Sequence, residues 1–394
     1  MDPIRSFLYR PLDMRVVIGR RAVRSLGDEL DWAGHDRAMV VTGPHVGANA
    51  EVMDPIAEVL GDRLVGVYRE TSTRKGAASV FAAIEAMRET GANVLIGVGG
   101  GSSLDTARQA SVFGRDGKPL DEYVALARAG ELRSIPAAEG RTPVIVVPTT
   151  LAGADLQTGG AVEFLDATES PTGMPYRVGG RLAPLVAIYD PDIVQTTPPG
   201  ALFGSAMNGY NKGFETLYGA TTSTISDATA VRGLQLMRRG LLGLVDGRGT
   251  AMDEAVDGVL LVQVDLQTSV IHAYGHGFSR QFPVQQGHIH AIVGPHVLRS
   301  MVDRLPADRR ALVAEAVDLR SPRQATTEQI VEQVVTMRDA LDLPRRLSDL
   351  LEESQLDVQA TAEFIRADHP TIDKVHPSLM PTVDEIADVL RRAW

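Results

Sequence analysis

The chain has 394 residues, 44% of them hydrophobic and 23% charged, with a formal net charge of -11. That length suits two or three domains with a sizeable core, and the acidic balance argues against nucleic acid or an anionic membrane surface as a partner. There is no cysteine, which excludes disulfides and thiolate metal sites.

At the N-terminus, Met1-Asp2-Pro3-Ile4-Arg5-Ser6 carries an acid at once and lacks the apolar stretch of a secretion signal. No apolar run reaches membrane-spanning length, so a cytoplasmic location is expected. Residues 14–19 read as a short strand before a helix from Ala22. Residues 38–43 form an apolar, β-branched run ending on Gly43, the pattern of a buried strand. A helix over 51–60, a strand over 64–68 and a helix over 77–89 that stops near Gly91 come next. Residues 93–98 and 144–148 complete the series of strands. Strands alternating with helices predict a parallel sheet with helices on its faces. The second half is different. Stretches 222–244, 252–274, 309–317, 327–341, 358–366 and 383–394 have apolar residues at helical spacing and read as an all-helical scaffold. His369 and His376 fall in a proline-containing loop and read as surface residues.

Between the last two strands of the first half lies Gly97-Val98-Gly99-Gly100-Gly101-Ser102-Ser103-Leu104-Asp105-Thr106-Ala107-Arg108. It follows a strand and opens a helix. Glycines let the backbone approach a pyrophosphate, and a helix N-terminus offers N–H donors and the positive end of its dipole. Ser102 and Ser103 suit a capping role. A second loop, Pro148-Thr149-Thr150-Leu151-Ala152-Gly153-Ala154-Asp155, sits at the carboxyl end of a strand, where ligand crevices form.

A polar constellation marks the second half. Asn208 and Lys212 are four apart, as are His272 and His276, so each pair shares one face of a helix. Two such faces opposite each other make a pocket of the kind that holds a cofactor or metal between helices. Five of the nine histidines fall between His272 and His296, and Lys212 is one of only four lysines.

These motifs resemble the iron-dependent alcohol dehydrogenase family, whose fold is shared with dehydroquinate synthase. Gly99 to Arg108 matches the family's Gly-Gly-Gly-Ser-x-x-Asp-x-Ala-Lys turn, with arginine for the final lysine. Pro148 to Asp155 matches its Pro-Thr-Thr loop, and Asp190-Pro191 and Pro198 match the prolines before its helical domain. The resemblance implies an α/β dinucleotide-binding domain with a parallel sheet over 1–190 and an all-α domain over 191–394. It places the active site in the cleft between them. It implies NAD or NADP as cofactor, held by Gly43, Gly99, Gly100, Gly101, Ser102, Asp105, Thr149, Thr150 and Leu151.

The metal positions depart from the family. Where the family has an Asp and a His four apart, this chain has Asn208 and Lys212; the His of a His-Gly step is Gln286. Of the four ligands only His272 remains, and His276 matches the histidine beside the nicotinamide. Two amides, an ammonium and one imidazole hold a divalent ion poorly, so no metal is expected. Hydride transfer still needs the substrate oxygen polarised, which an ammonium in a dry cleft can do. Lys212, Asn208, His272 and His276 are therefore the candidate catalytic residues, with His276 or His272 passing the proton. A metal site rebuilt from His272, His276, His288 and His290 is disfavoured, because residues two apart diverge on a helix.

The expected activity is metal-independent interconversion of an alcohol and a carbonyl, in a specialised pathway, with a small molecule or a hydroxylated metabolite or peptide as substrate. The chain is expected to self-associate as a homo-oligomer. The alternatives are a non-catalytic dinucleotide-binding protein and a metal-free lyase or cyclase of the dehydroquinate synthase type. The matching of Gly43 to a position where NAD-selective relatives carry Asp predicts that NADP(H) binds at least as well as NAD(H).

Overall fold

The computed structural model describes residues 13–394; the reading of residues 1–6 lies outside them. The described residues form two compact units, one of residues 13–150 and 154–197, the other of 151–153 and 198–394. The chain thus changes unit at 197/198 rather than 190/191, and Leu151–Gly153 groups with the helices rather than with the strand it follows.

The first unit is built on a six-stranded, all-parallel sheet in the order β1-β8-β5-β4-β2-β3. In chain order its elements are β1 (Arg15–Ile18), α1 (Leu26–Ala33), β2 (Ala38–Thr42), α2 (Pro44–Gly47), α3 (Ala50–Leu60) and β3 (Leu64–Tyr68). Then come α4 (Ala77–Thr90), β4 (Val94–Gly99), α5 (Gly101–Asp116), α6 (Leu120–Arg128) and β5 (Val144–Pro148). An antiparallel pair, β6 (Val162–Leu165) and β7 (Tyr176–Val178), precedes β8 (Val186–Tyr189) and α7 (Pro191–Val194). Strands β2, β4, β5 and β8 are buried along their whole length, which is why they read as unbroken apolar runs. Leu26, Leu30, Ile56, Ile96, Val98, Ile145 and Ile188 meet in one core. Helix α4 ends where expected, with Gly91 in the left-handed conformation at φ 63°.

From β2 the chain moves outward to β3, and from β4 it moves the other way to β5. The switch in direction lies between the neighbouring strands β2 and β4, the position where open α/β sheets bind ligands at their carboxyl ends.

The second unit is helical: α8 (Pro199–Leu217), α9 (Thr224–Val245), α10 (Ala251–Leu261), α11 (Val270–Gln281), α12 (Gln286–Arg304), α13 (Ala307–Ala316), α14 (Thr327–Ala340), α15 (Val358–Arg366), α16 (His369–Ile372) and α17 (Val383–Ala393). The single helix expected over 252–274 is two helices, α10 and α11, separated by a turn in which Asp265 has φ 57°. Among the described residues no helix is long and apolar enough to cross a membrane.

Candidate active site

Helix α8 carries one polar stripe onto the Leu151–Gly153 loop. Ser205, Gly209 and Lys212 are spaced by four and three, so they lie on one face. The Ser205 hydroxyl accepts the Leu151 N–H at 3.1 Å. At Gly209 any Cβ would collide with the Leu151 carbonyl oxygen, so only glycine lets the helix come this close. Lys212, 4% exposed, donates to the Ala152 carbonyl at 2.8 Å and to the Gly153 carbonyl. Two carbonyl oxygens and burial fix the ammonium in place.

Next to this stripe, Asn208 faces helix α11. His272 Nε2 lies 2.9 Å from Asn208 Oδ1, and His272 Nδ1 contacts the fully buried Glu215 carboxyl, one turn beyond Lys212. Glu215 also accepts the backbone N–H of His272 at 3.0 Å, and those of Ser269 and Ile271. These are donors from the N-terminal end of α11, which no residue within the helix can satisfy. The break between α10 and α11 thus creates a helix start that Glu215 caps, and it puts His272 in the first turn.

The proton positions follow from the contacts. Burial holds the His272 imidazolium pKa well below its usual range, and the nearby Lys212 charge adds to this, so the ring is neutral. With the Asn208 oxygen turned to Nε2, that nitrogen carries the ring proton and Nδ1 takes one from Glu215; with the amide turned over, Nδ1–H donates to the Glu215 carboxylate. Burial raises its pKa to about 7, which makes the protonated carboxyl available near neutrality.

Further along α11, His276 Nδ1 lies 2.8 Å from Asp368 Oδ2 and 3.3 Å from Thr371 Oγ1. Arg280, one turn on, reaches the other Asp368 oxygen at 3.5 Å. From α12, the fully buried His290 ring packs edge-on against His272, with centroids 4.6 Å apart, and its Nε2 is 3.4 Å from Gln286 Nε2. Gly275 permits this, since a Cβ there would collide with His290. His288 diverges as expected: it faces Gly200 and Gly204, away from His272.

All four candidate residues from the sequence, Asn208, Lys212, His272 and His276, therefore belong to one neighbourhood of the helical unit. Four partners were missed. Glu215 stood three residues past Lys212 and Arg280 four past His276, both readable as same-face positions. His290 was weighed only as a metal ligand. Asp368 has no sequence signal, lying 92 residues from His276.

These residues do not fit a divalent metal. An ammonium has no lone pair to donate, and that of Lys212 is bound to two carbonyls. His272 Nε2 is engaged by the Asn208 amide at 2.9 Å. Among the described residues no three His, Asp or Glu side chains gather about a common point.

The α/β unit does fit a dinucleotide. Gly43 at the end of β2 and the Gly99–Ser102 turn after β4 flank the switch point. Gly99 has φ 140°, and Gly100, with no side chain to offer, is the N-cap of α5, so no side chain satisfies the first N–H groups of the helix, the groups that bind phosphate at helix N-termini. Neither serine caps α5. Ser103 instead bonds Thr71 at 2.8 Å, and a Cβ on Gly43 would lie 3.3 Å from that Thr71 oxygen. Thr149 ties the second loop to the first, its N–H donating to the Gly99 carbonyl at 3.0 Å. Thr150 stands beside Gly100, while Leu151 is wholly buried with the helical unit. Asp105 works from behind the turn. Its oxygens are taken by Lys75 and the fully buried Arg108, and Arg108 also holds the Ala154 carbonyl at 3.0 Å.

A family model described as iron-containing alcohol dehydrogenase matches residues 13–191. Maleylacetate reductase of Rhizobium sp. (strain MTP-10005) is 26% identical over 318 residues, covering 79% of this chain and 80% of that protein. The crystal structure of a 1,3-propanediol oxidoreductase matches with a TM-score of 0.85 at 19% identity, over 99% of this chain and 100% of that one. Sulfoacetaldehyde reductase from Bifidobacterium kashiwanohense, in complex with NAD+, matches with a TM-score of 0.82 at 15% identity, over 98% of this chain and 99% of that one. Residues 13–191 thus match the iron-containing alcohol dehydrogenase family, and most of the chain is similar to NAD(P)-dependent oxidoreductases. The matched segment ends before α8, so the departures at Asn208, Lys212 and Gln286 lie beyond it.

Proposed function

We propose that the protein interconverts a carbonyl and an alcohol without a catalytic metal, with the ammonium of Lys212 in the role of the ion. The observation that carries this reading is the buried Lys212 ammonium, held by two carbonyls one turn from Asn208, at a motif position where the family has a ligand. A bound nicotinamide dinucleotide supplies or accepts the hydride. Lys212 places a fixed positive charge where negative charge grows on the substrate oxygen, and a preorganised charge in a water-poor site stabilises that transition state strongly. Asn208 and His272, already paired, present a second polar edge to the same oxygen. His276 exchanges the proton with that oxygen, its side chain being 30% exposed and so able to trade protons with solvent. The relatives named above reduce or oxidise small oxygenated molecules, and one of them is a maleylacetate reductase; a small carbonyl compound in a specialised pathway is the corresponding substrate here.

The test is turnover of NADPH and NADH by metal-depleted protein against a panel of short aldehydes, keto acids and sulfonated aldehydes. Oxidation of the dinucleotide by at least one class supports the reading. Activity that appears only when iron or zinc is added back opposes it.

A further inference from the structure

The histidine that the proposed mechanism uses for proton exchange does not stand alone. His276 Nδ1 is 2.8 Å from Asp368 Oδ2, and Asp368 is only 6% exposed. Thr371, three residues on, donates its hydroxyl to the same carboxylate, and Arg280 approaches the other oxygen at 3.5 Å. Asp368 is therefore held ionised by a hydroxyl donor and a guanidinium charge, and is a pure acceptor toward Nδ1. That fixes the tautomer: the Nδ1 proton points at Asp368, and Nε2 is the atom that gains or loses a proton.

The backbone is arranged for this contact. Gly277, adjacent to His276, lies under Ile365 of α15; a Cβ there would fall 2.5 Å from Ile365 Cγ1. Because glycine leaves that space, the end of α15 seats on α11. The Asp368 N–H then bonds the Ile365 carbonyl at 3.2 Å, and the Asp368 carbonyl takes the N–H groups of Thr371 and Ile372 at 3.0 and 2.9 Å. Both the carboxylate and its own backbone are thus held rigidly against α11.

We propose that Asp368 is a positioning residue for the reaction, orienting His276 and stabilising its imidazolium so that Nε2 delivers the proton to the substrate oxygen. This rests on the reading of the protein as a carbonyl reductase. In the reductive direction the carbonyl carbon gains a hydride from the reduced dinucleotide, which is thereby oxidised by two electrons. The π pair of the C=O bond moves to oxygen, and the oxygen takes the Nε2 proton. His276 becomes a neutral imidazole and recovers a proton from solvent. A site that relies on an ammonium already engaged by two carbonyls needs a separate proton donor, and an Asp–His pair is suited to that task because the carboxylate offsets the charge of the imidazolium. The depressed pKa of Asp368 agrees with a carboxylate that stays ionised throughout. Burial alone would raise it, but the hydrogen bond and charge of His276 and the charge of Arg280 bring it to about 2.

The experiment compares Asp368→Asn and Asp368→Glu with the wild-type chain, using histidine 15N NMR and steady-state kinetics with NADPH and whichever carbonyl is turned over. Asn keeps the shape but donates through its NH2, so the His276 15N shifts should move from the Nδ1–H form toward the Nε2–H form. The kcat should fall by roughly 100-fold or more with NADPH affinity within about threefold, and Glu should recover part of the rate. The solvent deuterium effect should rise in Asp368→Asn, because proton transfer becomes slower than hydride transfer. An unchanged His276 tautomer, or a kcat within threefold of wild type, overturns the proposal. If Asn prevents folding, Thr371→Val offers the milder arm: a several-fold loss of kcat with a raised solvent effect supports the proposal, and no change opposes it. Absence of turnover by the wild-type chain would sink the reductase reading, while the NMR arm would still report whether Asp368 sets the tautomer.

Discussion

His272 Nε2 lies 2.9 Å from Asn208 Oδ1, so two positions where the family binds a metal are here bonded to each other. An imidazole nitrogen already engaged by an amide side chain is not open to an ion. Purified protein is therefore expected to hold well under one iron or zinc per chain. Elemental analysis after exchange into metal-free buffer checks this; one equivalent that disappears in His272→Ala would show a metal site assembled from other residues.

Lys212 has two tasks in this account, and a substitution should separate them. Lys212→Met keeps an apolar stem and removes the charge. The rate of hydride transfer should fall on the order of 100-fold, as for loss of one oxyanion donor. Losing the bonds to Ala152 and Gly153 should also lower the melting temperature by on the order of 10 °C, since two charge-assisted hydrogen bonds are worth roughly 3–6 kcal/mol. A loss of stability with an unchanged rate would leave Lys212 as a brace for the loop and nothing more.

Gly209 tests the approach of α8 to that loop. In an exposed helix, Gly→Ala stabilises by about 1 kcal/mol. Here the added methyl would meet the Leu151 carbonyl. Gly209→Ala should instead destabilise by roughly 1–3 kcal/mol through overpacking, measured by urea unfolding of the helical unit. A more stable variant would mean that the loop moves aside freely.

The strands and the glycine turn were legible because each is a local event. A fully buried strand such as β2 or β5 must be a continuous apolar run, and a turn that lets backbone approach a pyrophosphate must be glycine. The grouping of Asn208 with Lys212, and of His272 with His276, also followed from helical spacing, once a helix was assumed for each. What the residues did not disclose was settled by contacts between distant segments. Strand β8 is four residues long and is an interior strand, rather than the edge of the sheet, only because β1 pairs on its far side. Apolar spacing continues from 252 through 274, yet the helix breaks there, because Glu215 from α8 caps a new helix start. Asp368 was passed over for the same reason: its neighbours His369 and His376 are exposed, and only the seating of α15 on Gly277 brings its carboxylate to His276. The serines of the turn misled because Ser103 found a better partner in Thr71 than the helix N–H groups.

Asp368 should also be visible in acid unfolding. A carboxylate whose folded pKa is about 2, against an ordinary value of 3.8, contributes stability above the ordinary value that is lost as pH falls through the folded one. The contribution is about 2 kcal/mol. Urea midpoints at ~pH 5.5 and ~pH 2.5, which span most of the transition from ~pH 4 to ~pH 2, should differ less in Asp368→Asn than in the wild-type chain. Equal pH dependence in both would show that His276 does not hold the carboxylate ionised.

At the other unit, Gly43 leaves the end of β2 without a carboxylate, and Arg69 lies over the following turn with its Nε donating to the Gly47 carbonyl at 3.1 Å. Gly43 itself brings no carboxylate to oppose a 2′-phosphate, and a guanidinium is at hand to favour it. NADPH is expected to bind at least as tightly as NADH by fluorescence titration, and Gly43→Asp should reverse the order. Tighter NADH binding by the wild-type chain would refute this.

The central claim is that an ammonium replaces the metal in carbonyl reduction, and the most direct measurement is the single-turnover rate of chelator-treated protein with NADPH and an accepted carbonyl. Metal-depleted wild-type protein should keep its full rate, Lys212→Met should lose it, and added iron or zinc should change neither. A wild-type rate that collapses on chelation and returns with a divalent metal would contradict it.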